Sequence, residues 1–166
     1  MALKTYYNLA YGSNMSTKRL FARLPDATHI GVATVTGYQL AYHKLGVDDS
    51  GKCDAFYTGD PQDVLYGVLY ALNEDEKAIL DEIEGARYSQ AQIKATHNDQ
   101  TFDAYCYVTN MLDDSLLPYD WYLQHVITGA HEANLPKEYI DKIKLQTVKT
   151  DPDKVRAARE FAIHQK

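Results

Sequence analysis

The 166-residue chain has only two cysteines, Cys53 and Cys106, far apart and outside any Cys-x-x-Cys pairing, so no disulfide framework is expected. A chain of this length buries about two-thirds of its unfolded surface in one core without such staples. It begins Met1-Ala2-Leu3-Lys4-Thr5 with no apolar signal segment, and no stretch approaches the roughly 20 apolar residues that cross a bilayer. The expectation is one reduced, cytoplasmic domain, residues 1–166, that does not span a membrane. Positive charge is also short: 17 Lys and Arg face 23 Asp and Glu, for a net charge of -6 and a pI near 5.4. The basic residues are scattered among acids, which argues against a nucleic-acid surface.

Phosphate loops are missing too. No Gly-Lys-Ser/Thr follows Gly12, and the second and third glycines of a dinucleotide fingerprint are absent. The six histidines contain no His-x-x-x-His pair, and His125 and His131 fall on different helix faces, so no metal site is expected. Neither cysteine stands at a strand-to-helix elbow, which leaves a Cys-His nucleophile pair without support. Tyrosine is abundant, with 14 Tyr against 4 Phe and 1 Trp. Such rings fill half-buried strand positions and also carry hydroxyls that reach backbone or a polar ligand.

Alternation of Leu3, Thr5, Tyr7, Leu9 and Tyr11 with Lys4, Tyr6, Asn8 and Ala10 predicts a first strand, and residues 16–23 predict a helix. Residues 28–43 read as strand material kinked at Gly37. A polar loop over 46–52 follows, and short strands at 55–58 and 64–72 continue what reads as one meander. Asn73 and Glu76 form a capping box for a helix ending at Glu84-Gly85, with Ile79, Leu80 and Ile83 as its inward stripe. Strands at 88–96 and 102–108 are joined by a turn at 97–100. Helices follow from Pro118, from Lys137 and from Asp151-Pro152. The last has Val155, Ala158, Phe161 and Ala162 on one side, a face for its own domain, a homodimer or another partner. The fold class is α+β: a small mixed, mostly antiparallel β-barrel or sheet flanked by helices.

Two segments carry chemistry. Tyr11-Gly12-Ser13-Asn14 sits between the first strand and helix, where Gly12 allows close backbone approach and amides entering the helix suit a small acidic group. Alone it reads more often as plain turn chemistry than as an anion site. At the other, Leu80-Asp81-Glu82-Ile83-Glu84-Gly85, a carboxylate in the last helical turn faces the negative end of the dipole, which raises its pKa. Glu82 and Glu84 lie about a quarter-turn to either side of the apolar stripe, and periodicity does not choose between them.

Taken in order, these motifs resemble the γ-glutamylcyclotransferase family. The resemblance covers most of the chain: Tyr11-Gly12-Ser13-Asn14-Met15, the strand Leu65-Tyr66-Gly67-Val68-Leu69-Tyr70, the acidic helix end with Tyr88 after it, Tyr105 and Tyr107, and the late segment from Pro118 to Pro136. It implies conversion of a γ-glutamyl amide, either a γ-glutamyl-amino acid or a γ-glutamyl-amine, to 5-oxoproline and a free amine, without a cofactor. It further implies Glu84 as general acid and base, substrate binding by Tyr11, Gly12, Ser13 and Asn14, and substrate contacts from Tyr122 and Tyr88. The connection from Glu84 to Tyr88 is shorter than in some relatives, which bears on the placement of that tyrosine. A competing reading is a cyclotransferase-like module that binds an amino-acid derivative or a protein without catalysis; loss of the acid would be its mark.

Overall fold

A computed structural model describes residues 3–86, 88–109 and 113–164. In chain order the elements are β1 (Tyr6–Ala10), a 3-10 turn (Ser13–Met15), α1 (Thr17–Arg23), β2 (Thr28–Thr36), β3 (Tyr38–Leu45), β4 (Gly51–Tyr57) and β5 (Val64–Leu72). They continue with α2 (Glu74–Glu84), β6 (Tyr88–His97), β7 (Gln100–Thr109), α3 (Asp120–Glu132), α4 (Lys137–Lys144) and α5 (Lys154–Ala162). Five strands close a barrel in the order β1-β5-β2-β6-β7, and β3 and β4 form a separate two-stranded sheet. β1 runs antiparallel to β5 and parallel to β7, so the barrel is mixed but mostly antiparallel, as expected.

The stretch 28–43 is two strands in different sheets rather than one kinked strand. Gly37, with φ of 87°, turns the chain out of the barrel. Its amide donates to the Asp63 carbonyl at 2.8 Å, and its own carbonyl accepts from Thr58 and Gly59 at 2.8 and 3.2 Å. The hairpin therefore leaves and rejoins the barrel at one point. The expected meander is broken there: β4 starts at Gly51, ahead of the expected 55–58, and β5 pairs with β1 and β2 instead of β4. The β6–β7 turn narrows to Asn98 and Asp99, both at positive φ, the conformation a two-residue hairpin needs.

α2 opens with the expected capping box: Asn73 accepts from the Glu76 amide and Glu76 from the Asn73 amide, both at 2.8 Å. Its inward stripe is not the predicted one. Leu80 is fully buried, but Ile79 and Ile83 are 47% and 43% exposed. Polar residues replace them because the barrel offers partners: Asp81 accepts from the Tyr107 hydroxyl at 2.5 Å, and Lys77, bonded to Asp81 within the helix at 2.7 Å, lies over the Tyr6 and Tyr105 rings. Barrel tyrosines thus rotate the helix about its axis and carry Glu84 inward.

α3 buries Trp121, Tyr122, Leu123, His125, Val126, Gly129 and Ala130. Gly129 lies against the 3-10 turn so closely that a Cβ there would sit 2.4 Å from the Ser16 nitrogen and 2.6 Å from the Met15 Cβ. α5 has no buried residue, and Val155, Ala158, Phe161 and Ala162 face outward. The side turned to the domain is the polar one. Arg19 donates to Glu160, and His125 lies 3.2 Å from Glu160 and in contact with His164. Arg156 makes two 2.6 Å bonds to Asp151, which also accepts from the indole of Trp121 at 2.8 Å.

Two outcomes follow from this packing. Gly129→Ala forces a methyl into backbone and should lower unfolding stability by about 1–3 kcal/mol in urea titrations. Burial pushes His125 down to about 4, against roughly 6.5 when unfolded. The unfolded chain takes up that proton first, so stability falls as pH drops from about 6.5 to about 4. Its bond with His125 and the nearby Arg19 hold Glu160 down at about 2, and its contribution is lost below roughly pH 4.3. The fluorescence of Trp121, the sole tryptophan, should therefore show an earlier urea midpoint at pH 4.5 than at pH 7. Equal midpoints would exclude this coupling.

Candidate active site

Six structural units converge at one rim of the barrel. The parallel pairing of Asn8 with Tyr105 brings the carboxyl ends of β1 and β7 together, so the segment Tyr11–Asn14 meets Tyr107. The C-terminal end of α2 supplies Glu84 and the start of β6 supplies Tyr88. The outer hairpin and α3 close the far side with Cys53 and Tyr122. Together these residues line a pocket of about 40 Å³. Ser13, Glu84, Tyr88 and Tyr122 also border an outer groove of about 610 Å³. A separate cavity of about 510 Å³ between β3 and α4 contains none of the expected site residues.

All seven of those residues thus come together, though several do so for unexpected reasons. Gly12 has an ordinary φ of -120°. Its lack of a side chain matters because a Cβ would meet Cys53 Cβ at 2.8 Å and Sγ at 3.0 Å; closeness to the pocket wall supplies the reason. The loop runs into the 3-10 turn before α1, not directly into the helix. The amides of Met15 and Ser16 are bonded within that turn, while those of Ser13 and Asn14 have no acceptor among the described residues. Tyr11 is buried, and its hydroxyl donates to the Tyr107 carbonyl. Burial raises its pKa well above the usual phenol value.

Glu84, not Glu82, faces the pocket. Its side chain is 16% exposed, whereas Glu82 is exposed and borders only the outer groove. Glu84 Oε1 accepts from Asn14 Nδ2 at 3.1 Å and lies 3.7 Å from an Arg23 guanidinium nitrogen. Burial raises the Glu84 pKa, while Arg23, Lys44, Arg19 and the Asn14 bond oppose that rise. The result is a carboxyl able to give and take a proton nearer neutrality than an exposed glutamate.

The two outer tyrosines are tied to one peptide. The Tyr88 hydroxyl donates to the Cys53 carbonyl at 2.8 Å, and the Tyr122 hydroxyl accepts from the Cys53 amide at 3.1 Å. Burial raises both phenols well above their usual range, so they stay protonated. It also pushes the Cys53 thiol up to about 12, which keeps it neutral and unsuited to nucleophilic attack. Sequence reasoning missed Cys53, Tyr107, Lys44 and Arg23. For Arg23 a signal existed: it lies one turn after Arg19 on α1, which places two guanidiniums on one helix face. Arg87 lies outside the described residues.

The outer groove is basic in an acidic protein. Arg19, Arg23, Lys44, Lys52, Arg156 and Arg159 border it together with Asp48, Glu82, Glu84 and Glu160. Lys52 is bonded to Asp48 at 2.9 Å and lies over the Tyr122 ring, and Lys44 lies 3.7 Å from the Tyr88 ring centre. Among the described residues no three His, Cys, Asp or Glu side chains are grouped to hold a metal ion. The chemistry this arrangement offers is proton transfer by one carboxyl beside amides that lack acceptors.

Residues 64–143 match the model of the AIG2-like family. The γ-glutamylcyclotransferase of Mus musculus is 30% identical over 153 residues, covering 85% of this chain and 78% of the mouse protein. The Homo sapiens γ-glutamylcyclotransferase is 29% identical with the same coverage. A solved structure described as gamma-glutamyl cyclotransferase superposes with a TM-score of 0.79 at 25% identity, covering 88% of this chain and 90% of that one. Agreement in sequence over most of both chains, with the same fold, makes this chain a member of the γ-glutamylcyclotransferase family of enzymes.

Proposed function

We propose that this enzyme converts a γ-glutamyl amide to 5-oxoproline and a free amine, with Glu84 as general acid and base. The observation that carries the reading is the mostly buried Glu84 carboxyl, raised in pKa and set beside the Tyr11–Asn14 loop. The substrate brings its own nucleophile. Glu84 takes a proton from the α-ammonium, and the freed amine attacks the γ-carbonyl to close a five-membered ring. The same carboxylic acid then gives that proton to the departing nitrogen as the amide C–N bond breaks. The restored carboxylate takes the second proton from the ring nitrogen and passes it to the released amine, which leaves as the ammonium. Holding the chain folded makes the attack intramolecular, and one positioned acid and base contributes about 10²–10⁴-fold.

The inner pocket, about 40 Å³, has room for little more than one small group. Only the reacting end of the substrate fits there, and the leaving amine lies in the outer groove. Unbonded amides of Ser13 and Asn14 suit an anionic oxygen of the glutamyl group, either its α-carboxylate or the oxyanion formed during attack. The basic groove favours a leaving amine that carries a carboxylate, which selects a γ-glutamyl-amino acid over an uncharged γ-glutamyl-amine.

Glu84→Gln should keep its melting temperature within a few degrees and lose about 10²-fold or more of turnover, read as 5-oxoproline by mass spectrometry over a panel of γ-glutamyl amides. A variant with most of its activity would move the role elsewhere. Since the base form is needed, wild-type activity should rise with pH through an apparent pKa above the ordinary 4.3 or so of glutamate. Tyr122→Phe leaves the buried Cys53 amide without its acceptor. It should cost about 1–3 kcal/mol of stability as well as raising KM, and an unchanged urea midpoint would show that the hydroxyl serves substrate alone.

A further inference from the structure

We infer that Arg23 is a positioning residue for the reaction, holding the Asn14 carboxamide and the Glu84 carboxylate in one arrangement so that the free oxygen of Glu84 is presented to the substrate. This inference rests on the reading of Glu84 as acid and base. Arg23 Nη1 donates to Asn14 Oδ1 at 3.2 Å, Asn14 Nδ2 donates to Glu84 Oε1 at 3.1 Å, and Nη1 itself stands 3.7 Å from Oε1. The three groups form a closed triangle joining α1, the loop and the end of α2. A carboxamide flipped by half a turn would set its oxygen against the carboxylate. Arg23 excludes the flip because it requires an acceptor at Oδ1. Both contacts fall on Oε1, so Oε2 is the oxygen left for the substrate.

Electrostatics points the same way. Glu84 is faced by Arg19 and Arg23 from α1, Lys44 from β3, Cys53 from β4, Tyr88 from β6 and Tyr105 from β7. The thiol and phenols are neutral. Arg19 is bonded to Glu160, and Lys44 lies on the Tyr88 ring. Arg23 is the cation that most strongly offsets the effect of burial on Glu84. Its own side chain is 26% exposed and lies outside the set of buried residues, and burial, then the nearby Arg19, lowers its pKa. Both approaches use Nη1; lysine would keep the charge, but its flexible stem does not fix one nitrogen between the two acceptors as the rigid, planar guanidinium does.

The test compares Arg23→Met, Arg23→Lys and Glu84→Gln in the full chain, with thermal unfolding as a check on folding. Carboxyl carbons of glutamate are labelled with ¹³C, and the Glu84 signal is identified by its absence in Glu84→Gln. Loss of the cation raises the pKa of the carboxylate, so in Arg23→Met the Glu84 titration and the acid limb of kcat/KM should both move to higher pH by about one unit, with kcat down roughly tenfold. In Arg23→Lys the limb should stay near wild type while kcat remains reduced, separating charge from geometry. An unmoved Glu84 titration in Arg23→Met, with only KM raised, would overturn the inference and make Arg23 a substrate-binding group. Retained turnover in Glu84→Gln would instead overturn the acid-base reading and with it any positioning role for Arg23. The carboxyl titration, which needs no turnover, distinguishes the two failures.

Discussion

The double pairing of β1 is the constraint on which the site depends. Strand Tyr6–Ala10 is antiparallel to β5 over its whole length and pairs with β7 in parallel at Asn8 and Tyr105, so its backbone is held on one edge up to the residue before Tyr11 and on the other at Asn8. A loop leaving such a strand has little freedom at its root. The parallel contact also decides which loop sits where. Had β1 entered in the opposite sense, the Tyr11–Asn14 segment would emerge at the other rim, away from Tyr107 and the end of α2. Closing the barrel and assembling the pocket are therefore one event in this fold.

The opposite wall is built differently. β3 and β4 stand outside the barrel, yet a single peptide of β4 receives both outer tyrosines: the Cys53 amide donates to Tyr122 and its carbonyl accepts from Tyr88. Each bond contributes about 1 kcal/mol net, small beside the burial of the rings. Their larger effect is directional, since they fix the rotation of two aromatic planes that border both pocket and groove. Gly12, unable to bear a side chain against Cys53, lets the two walls approach to contact distance. Abundant tyrosine thus has a mixed explanation, with rings serving as core and hydroxyls serving as struts.

The sequence was legible wherever local chemistry is stereotyped. The capping box at Asn73, the stop at Gly85 and the hairpin at Asn98-Asp99 need only neighbours in sequence, and all appear in the structure. Failures came where a distant partner overrides local pattern. Ile79 and Ile83 look inward by periodicity, but the hydroxyl of Tyr107 draws Asp81 to the barrel and turns them out. Val155 and Phe161 look like a packing face, but Arg19 on α1 and His125 on α3 capture Glu160 on the other side of α5. The choice between Glu82 and Glu84 came from family resemblance, because the period of the helix leaves both near the edge of the stripe. Sequence showed Arg23 only as a second guanidinium on the Arg19 face of α1; its role was hidden for a related reason, because its partners, Asn14 and Glu84, stand together only after the barrel has closed.

α2 also sets a length that the chain is not free to change. Its eleven residues run from a reciprocal cap at Asn73, anchored at the end of β5, to Gly85, whose φ of 81° reverses the path. Three helical turns, about 16 Å, separate the anchor from the carboxyl. Deleting or inserting one residue would rotate Glu84 by about 100° and put a neighbouring side chain in the pocket, although Glu84 itself were kept. Outward positions such as Glu74, Asp75 and Ala78 can drift in identity at little cost, yet the spacing they occupy is fixed. In this helix it is the count of residues, more than their identity, that is under constraint.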